Sequence, residues 1–134
     1  MFPGAGAVVM TAWTSMRDVA RAGRAALPEA VIEQATSEMD AVAEAAAKAT
    51  AQSGADRASA AGLEARAQTA CVEGSVAQAI LRAADEPDVM CVVVGSRGRS
   101  GFRSSLLGSV SNTVVQHSAK PVVVVHSSPA DGLE

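Results

Sequence analysis

The chain predicts an α/β fold with a mainly parallel sheet, on three observations. Short continuous apolar runs recur along it, segments of helical period separate them, and a glycine-rich stretch leads from one run straight into a helix. At 134 residues the chain suits one domain, read here as 1–126, with a short polar tail at 127–134. A hydrophobic share of 49% with 19% charged residues excludes disorder. About a fifth of the chain is alanine, so stability must come from closely packed layers rather than large anchors. A formal charge of −3 argues against nucleic acid or an anionic membrane as partner.

Residues 7–13 (AVVMTAW) are apolar almost throughout, as a strand covered on both faces should be. Residues 14–26 read either as a loop or as a short amphipathic helix. Pro28 opens a helix at its first position. Val31, Ala35, Met39, Val42, Ala46 and Ala49 form its inward seam, and the Ser-Gly-Ala-Asp stretch at 53–56 ends it. Leu63, Ala65, Ala67 and Thr69 alternate with Glu64, Arg66 and Gln68, which predicts a half-covered strand. A second helix starts with Ser75 as N-cap, buries Val76, Ile80 and Ala83, and stops at Pro87. Residues 89–94 and 122–125 are short β-branched runs suited to a covered parallel sheet. Between them a third helix runs from about Ser104 to Ser118, with Leu107, Val110 and Val114 inward.

Cys71 and Cys91 are too far apart for a C-x2-C pair, and with two histidines they make no zinc set. Cys91, inside an apolar run, reads as a small buried hydrophobe. A reduced, cytoplasmic protein is the simplest expectation. No basic leader opens the chain, and residues 7–13 are too few for a signal core or a membrane span.

In a parallel α/β sheet, ligands bind beyond the carboxyl ends of the strands. The stretch after Val94 is therefore the leading candidate. Gly95, Gly98 and Gly101 lie within seven residues, a pattern that allows positive φ and close approach of backbone N–H groups. Gly108 and Ser109 follow at the start of a helix, where free amides and the dipole favour an anion. Arg97, Arg99 and Arg103 add positive charge, and no acidic residue occurs between Asp88 and Asp131. These are the parts of a phosphate site. Neither the G-x4-G-K-S/T spelling nor the G-x-G-x2-G spelling occurs, so the Walker and dinucleotide loops are excluded.

The segment VVVGSRGRSGFRSSLLGSVSNTVVQHSAKPVVVV resembles the C-terminal half of a universal stress protein domain. It carries that family's G-x2-G-x9-G-S/T signature at Gly95, Gly98, Gly108 and Ser109. The resemblance implies a three-layer sandwich with helices on both faces of the sheet. It also implies a stress-response domain binding an adenine nucleotide, ATP with Mg²⁺. Gly95, Gly98, Gly108 and Ser109 would contact phosphates and ribose, with Val94, Val110 and Ser111 adjoining. Arg97 would help hold the phosphates, and Ala12, near the end of the first strand, would touch the base. Dimerisation would run through the last strand, Val122, Val123, Val124 and Val125.

The sequence departs from the family at its start. Family domains open with a strand ending in an acidic D-G-S-like motif, which lies mid-sheet and helps hold the nucleotide. Here the first strand matches the family's second, so four strands are expected and the central one is absent. Three outcomes are open: a truncated start, a strand borrowed from a partner, or direct pairing of the two strands that would flank the gap. Truncation is the favoured origin. The alternative function is a dimerising structural module, or remnant, that binds no nucleotide. No catalytic set emerges: His117 ends a helix, His126 ends a strand, and neither has a visible base or nucleophile partner. Trp13 reads as packing, although its place at a strand end leaves base stacking open.

Overall fold

The structure, a computed structural model, describes residues 6–22, 28–96 and 107–126. It is an α/β chain of two compact units, Met1–Glu73 and Gly74–Glu134. The first unit contains β1 (Gly6–Trp13), α1 (Met16–Ala22), α2 (Glu29–Ala60) and β2 (Glu64–Cys71). The second contains α3 (Val76–Ala84), β3 (Val92–Gly95), α4 (Ser109–His117) and β4 (Val122–Val125).

Strands β1 and β2 pair in parallel from Gly6↔Glu64 to Trp13↔Cys71. Strands β3 and β4 pair in parallel from Val92↔Val122 to Gly95↔Val125. The parallel pairing expected from the continuous apolar runs is present. Among the described residues it forms two two-stranded sheets, in which β1 pairs with β2 and β3 with β4.

The ambiguous stretch after β1 becomes helix α1. Ser15 stands at its head, and the Ser15 carbonyl accepts from the Val19 N–H at 3.2 Å. Pro28 is the N-cap of α2 rather than its first helical residue. Helix α2 packs against β1, β2 and α1, but with a seam other than the expected one. Ile32, Thr36, Ala47, Ala51 and Ala55 are buried, whereas Val31 and Met39 are exposed and Val42 is 71% exposed. The helix is so rich in alanine that three- and four-residue spacings can be drawn along more than one face. The contact selects the face whose small residues admit the closest approach. Thr36 tolerates burial because its hydroxyl donates to the Ile32 carbonyl at 2.6 Å.

Helix α2 also runs through residues 53–56, which were expected to end it. Its stop lies at Gly62, with φ +102°. There the Gly62 N–H donates to the Ser59 carbonyl and the Leu63 N–H to the Ala58 carbonyl. This is a Schellman closure, in which the left-handed position suits glycine. Strand β2 alternates as predicted, with Ala65, Ala67 and Thr69 half-buried and Glu64, Arg66 and Gln68 exposed.

In the second unit, Ser75 caps α3 as expected. Its hydroxyl accepts from the Gln78 N–H at 3.2 Å, and the Gln78 side chain accepts from the Ser75 N–H at 3.1 Å. The buried residues are Ala77, Ala79 and Ala84, whereas Ile80 and Ala83 are half-buried and Val76 is exposed. The inward face is turned from the predicted one, again toward alanines that let α3 approach α4.

Strand β3 is shorter than the apolar run that encodes it. Met90 is 86% exposed, and Cys91, expected to be buried, is exposed. Pairing begins where β4 begins: the Val92 N–H donates to the Pro121 carbonyl at 2.9 Å. Pro121 has no N–H to extend the ladder backwards. The Lys120 ammonium instead donates to the carbonyls of Glu86 and Val89, at 3.0 and 2.7 Å. Helix α4 starts at Ser109; the expected start near Ser104 lies outside the described residues. Val114 is fully buried, and Leu107 and Val110 are half-buried.

Candidate functional site

The site expected from the glycine-rich stretch is built where β3 hands over to α4. Val94 and Gly95 end β3, Val94 half-buried and Gly95 exposed beside Val125. Ser96 follows and is buried. Its N–H donates to the Val125 carbonyl at 2.8 Å, which extends the β3–β4 ladder by one bond. Its carbonyl accepts twice from the head of α4, from the Gly108 N–H at 2.6 Å and from the Ser111 hydroxyl at 3.3 Å. One carbonyl therefore ties Gly95 and the Gly108–Ser109 pair into one neighbourhood across a gap of twelve residues. Arg97 and Gly98 lie outside the described residues.

Gly108 is the N-cap of α4, with φ −67° and ψ 164°, and among the described residues no side-chain cap hydrogen bond is made there. Its backbone is extended, so positive φ is not the reason for a glycine there. Among the described residues positive φ occurs at Gly62 and Gly74, neither of them in the signature. What Gly108 contributes is the absence of a side chain at the mouth of a helix N-terminus. Ser109 is exposed and Val110 half-buried in that first turn. That turn presents amide donors and the positive end of a helix dipole, suited to an anion. Ser111, expected among the adjoining residues, is buried and its hydroxyl is engaged by Ser96.

Ala12 belongs to the first unit. Val9 faces α2, because a Cβ added at Gly54 would lie 2.7 Å from Val9 Cγ1. Ala12, of opposite parity in the strand, lies on the other face of β1. Trp13 is half-buried and shares the α2-facing side with Val9 and Thr11. His117 and His126 are exposed. Among the described residues, no cluster of three or more His, Cys, Asp or Glu side chains forms a metal-binding group.

A second polar arrangement went unread in the sequence. Asp40, in the middle of α2, takes the head of α1: the Ser15 hydroxyl donates to Oδ2 and the Met16 N–H to Oδ1, each at 2.6 Å. Ser15 is buried. The Ser15 hydroxyl bond does most to hold the Asp40 carboxyl below its ordinary value of 3.8; burial opposes it, and the Met16 and Arg17 amides and the Arg17 charge assist. A lowered folded value means that the contribution is present above the ordinary carboxylate range and is lost as pH falls through the folded value. Asp40→Asn is therefore expected to be less stable than wild type at pH 7, with the two melting curves converging as the pH falls below the ordinary carboxylate range. A gap that stayed constant with pH would overturn this reading. Ser15 after a strand is a legible cap signal, but its partner twenty-five residues away is not. Nearby, burial first and the Asp18 charge second raise the Cys71 thiol above its ordinary value of 9.0, so it stays protonated at neutral pH although exposed.

The family model for the universal stress protein family matches residues 14–126. Universal stress protein YxiE of Bacillus subtilis is 47% identical over 60 residues, covering 45% of this chain and 40% of that protein. The chain thus spans less than half the length of that relative in the match. Among solved structures, the hypothetical protein MJ0577 superposes with a TM-score of 0.72 over 96% of this chain and 80% of its own, at 19% identity. A universal stress protein in complex with cAMP superposes with a TM-score of 0.51 over 95% of this chain and all of its own, at 28% identity. The first of these likenesses shows the fold. A family match over most of the chain, joined to a signature whose described members meet at the β3–α4 junction, leads to one conclusion: this chain belongs to the universal stress protein family.

Proposed function

We propose that this chain is a nucleotide-binding stress-response domain that takes an adenine nucleotide, ATP, at the β3–α4 junction. The observation that carries the reading is the shared Ser96 carbonyl, which sets Gly95 beside a helix start whose N-cap, Gly108, carries no side chain. Backbone amides of the first turn of α4 would bind phosphate oxygens, and the arginine-rich stretch, Arg97 with Gly98, would supply charge and close approach. A family relative of 28% identity crystallised with cAMP supports an adenine nucleotide as the ligand class. With no acidic residue between Asp88 and Asp131, Mg²⁺ would arrive on the phosphates and keep most of its water ligands. The role proposed is sensing or regulation, with at most slow, incidental hydrolysis of the nucleotide. The proposed setting is cytoplasmic; among the described residues no helix is long and apolar enough to cross a membrane.

ATP with Mg²⁺ at 100 times its dissociation constant is expected to stabilise the protein by about 2.7 kcal/mol, read as a rise in Tm. No rise at millimolar ATP overturns the nucleotide reading. One observation favours a second role beside it: Val123 and Val125 of β4 are 50% and 53% exposed. A β-branched strand with exposed valines suits self-association through Val122, Val123, Val124 and Val125. Sedimentation of the ATP-free protein would then show a dimer, and that dimerising module is what survives if nucleotide binding fails.

A further inference from the structure

We infer that the Ser111 hydroxyl is a positioning group that docks the start of α4 onto the end of β3, rather than a phosphate ligand. The inference rests on the nucleotide reading above. Ser111 is buried at 4% exposure, and its hydroxyl is spent on the Ser96 carbonyl at 3.3 Å, inside the protein. The same carbonyl holds the Gly108 N–H at 2.6 Å, and the Ser96 N–H is itself fixed to Val125 at 2.8 Å. Ser96, 3% exposed, is therefore a buried peg anchored in the sheet. It grips the helix at two places, the N-cap amide and the side chain three residues on, which lie on one face of the first turn.

Two bonds to one oxygen fix both the distance and the roll of α4 relative to β3. Removing the Gly108 bond requires proline there, which also alters the backbone, whereas Ser111 can be changed without touching the backbone. The geometry of the first-turn amides, on which anion binding depends, is therefore adjustable through a residue that need never meet the ligand. The hydroxyl donates inward to the Ser96 carbonyl, so it ties the helix start to the strand without occupying any first-turn amide.

The test compares wild type with Ser111→Ala and Ser111→Thr, measuring amide hydrogen exchange without nucleotide and ATP affinity by calorimetry. Ser111→Ala removes one oxygen and keeps the packing volume nearly intact. It is expected to accelerate Gly108 amide exchange about three- to tenfold, the worth of one hydrogen bond, and to weaken ATP by a similar factor. The Ser118 amide, bonded to Val114 at the far end of α4, should not change. Ser111→Thr, which keeps the hydroxyl, should restore both readouts. Unchanged Gly108 exchange in Ser111→Ala overturns the inference, whatever happens to ATP, because the hydroxyl then acts on the ligand or on nothing. If exchange accelerates and no form binds ATP, the docking role stands and the nucleotide reading falls.

Discussion

Gly108→Val is expected to lower ATP affinity more than about 100-fold, a loss of about 2.7 kcal/mol, while the protein still melts cooperatively. The two effects separate because they depend on different parts of the residue. The backbone at Gly108 is extended, φ −67° and ψ 164°, a conformation that valine adopts readily. Its N–H would still reach the Ser96 carbonyl, so the junction survives. Valine is a poor N-cap, but glycine offers no side-chain oxygen to lose, so the change in Tm should stay within roughly 5 °C. The isopropyl group, however, stands at the mouth of the first turn of α4, where a phosphate oxygen would approach the amides. Calorimetric titration with ATP and a circular dichroism melt together decide the matter. Gly98→Val, outside the described residues, is expected to abolish binding in the same way. Binding that survives both substitutions would show that the phosphate is held elsewhere.

The second large effect concerns stability. Gly54→Leu is expected to cost about 1–3 kcal/mol, a fall in Tm of roughly 4–12 °C. Gly54 sits in the interior of α2, where glycine is about 1 kcal/mol worse than alanine on backbone grounds. The reason for it lies in packing: a Cβ there would stand 2.7 Å from Val9 Cγ1, well inside contact. Val9 is β-branched and held in β1, so its side chain yields little. The helix thus accepts an intrinsic penalty so that its alanine face, with Ala51 and Ala55 buried on either side, can lie close on the sheet. Combining Gly54→Leu with Val9→Ala should recover part of the loss, since the two changes share the same space. Additive losses in that double variant would place the strain elsewhere.

How much of this was legible without coordinates differs from element to element. Strands β1, β2 and β4 fell where continuous or alternating runs placed them, and β3 over the later part of its run, because strand patterning is local and of period two. The α3 cap was legible because Ser75 and Gln78 sit three residues apart in one turn. The faces of α2 and α3 were not. In helices this rich in alanine, apolar residues lie on every side, and periodicity cannot choose between seams one residue apart. Only the approach of the sheet to Gly54 and the alanines chose. The stop of α2 was misread for a related reason: Ser-Gly-Ala-Asp is a breaker in isolation, yet packing against Val9 carried the helix through it to Gly62.

The candidate site divides along the same line. By itself the sequence determined the signature, its spacing and its place between a strand and a helix, since these are properties of residue order. It also determined the family, through the same residues. The tertiary structure decided the connections that span distance along the chain: Ser96 receiving Gly108 and Ser111, Asp40 receiving Ser15, and Lys120 donating to Glu86 and Val89. Each joins groups whose residue types are common in loops and helix faces, so nothing in the order of residues marks them as partners. Hydrogen bonds of this kind are chosen by which backbone groups lack a neighbour once the strands and helices have packed, and that choice exists only in three dimensions.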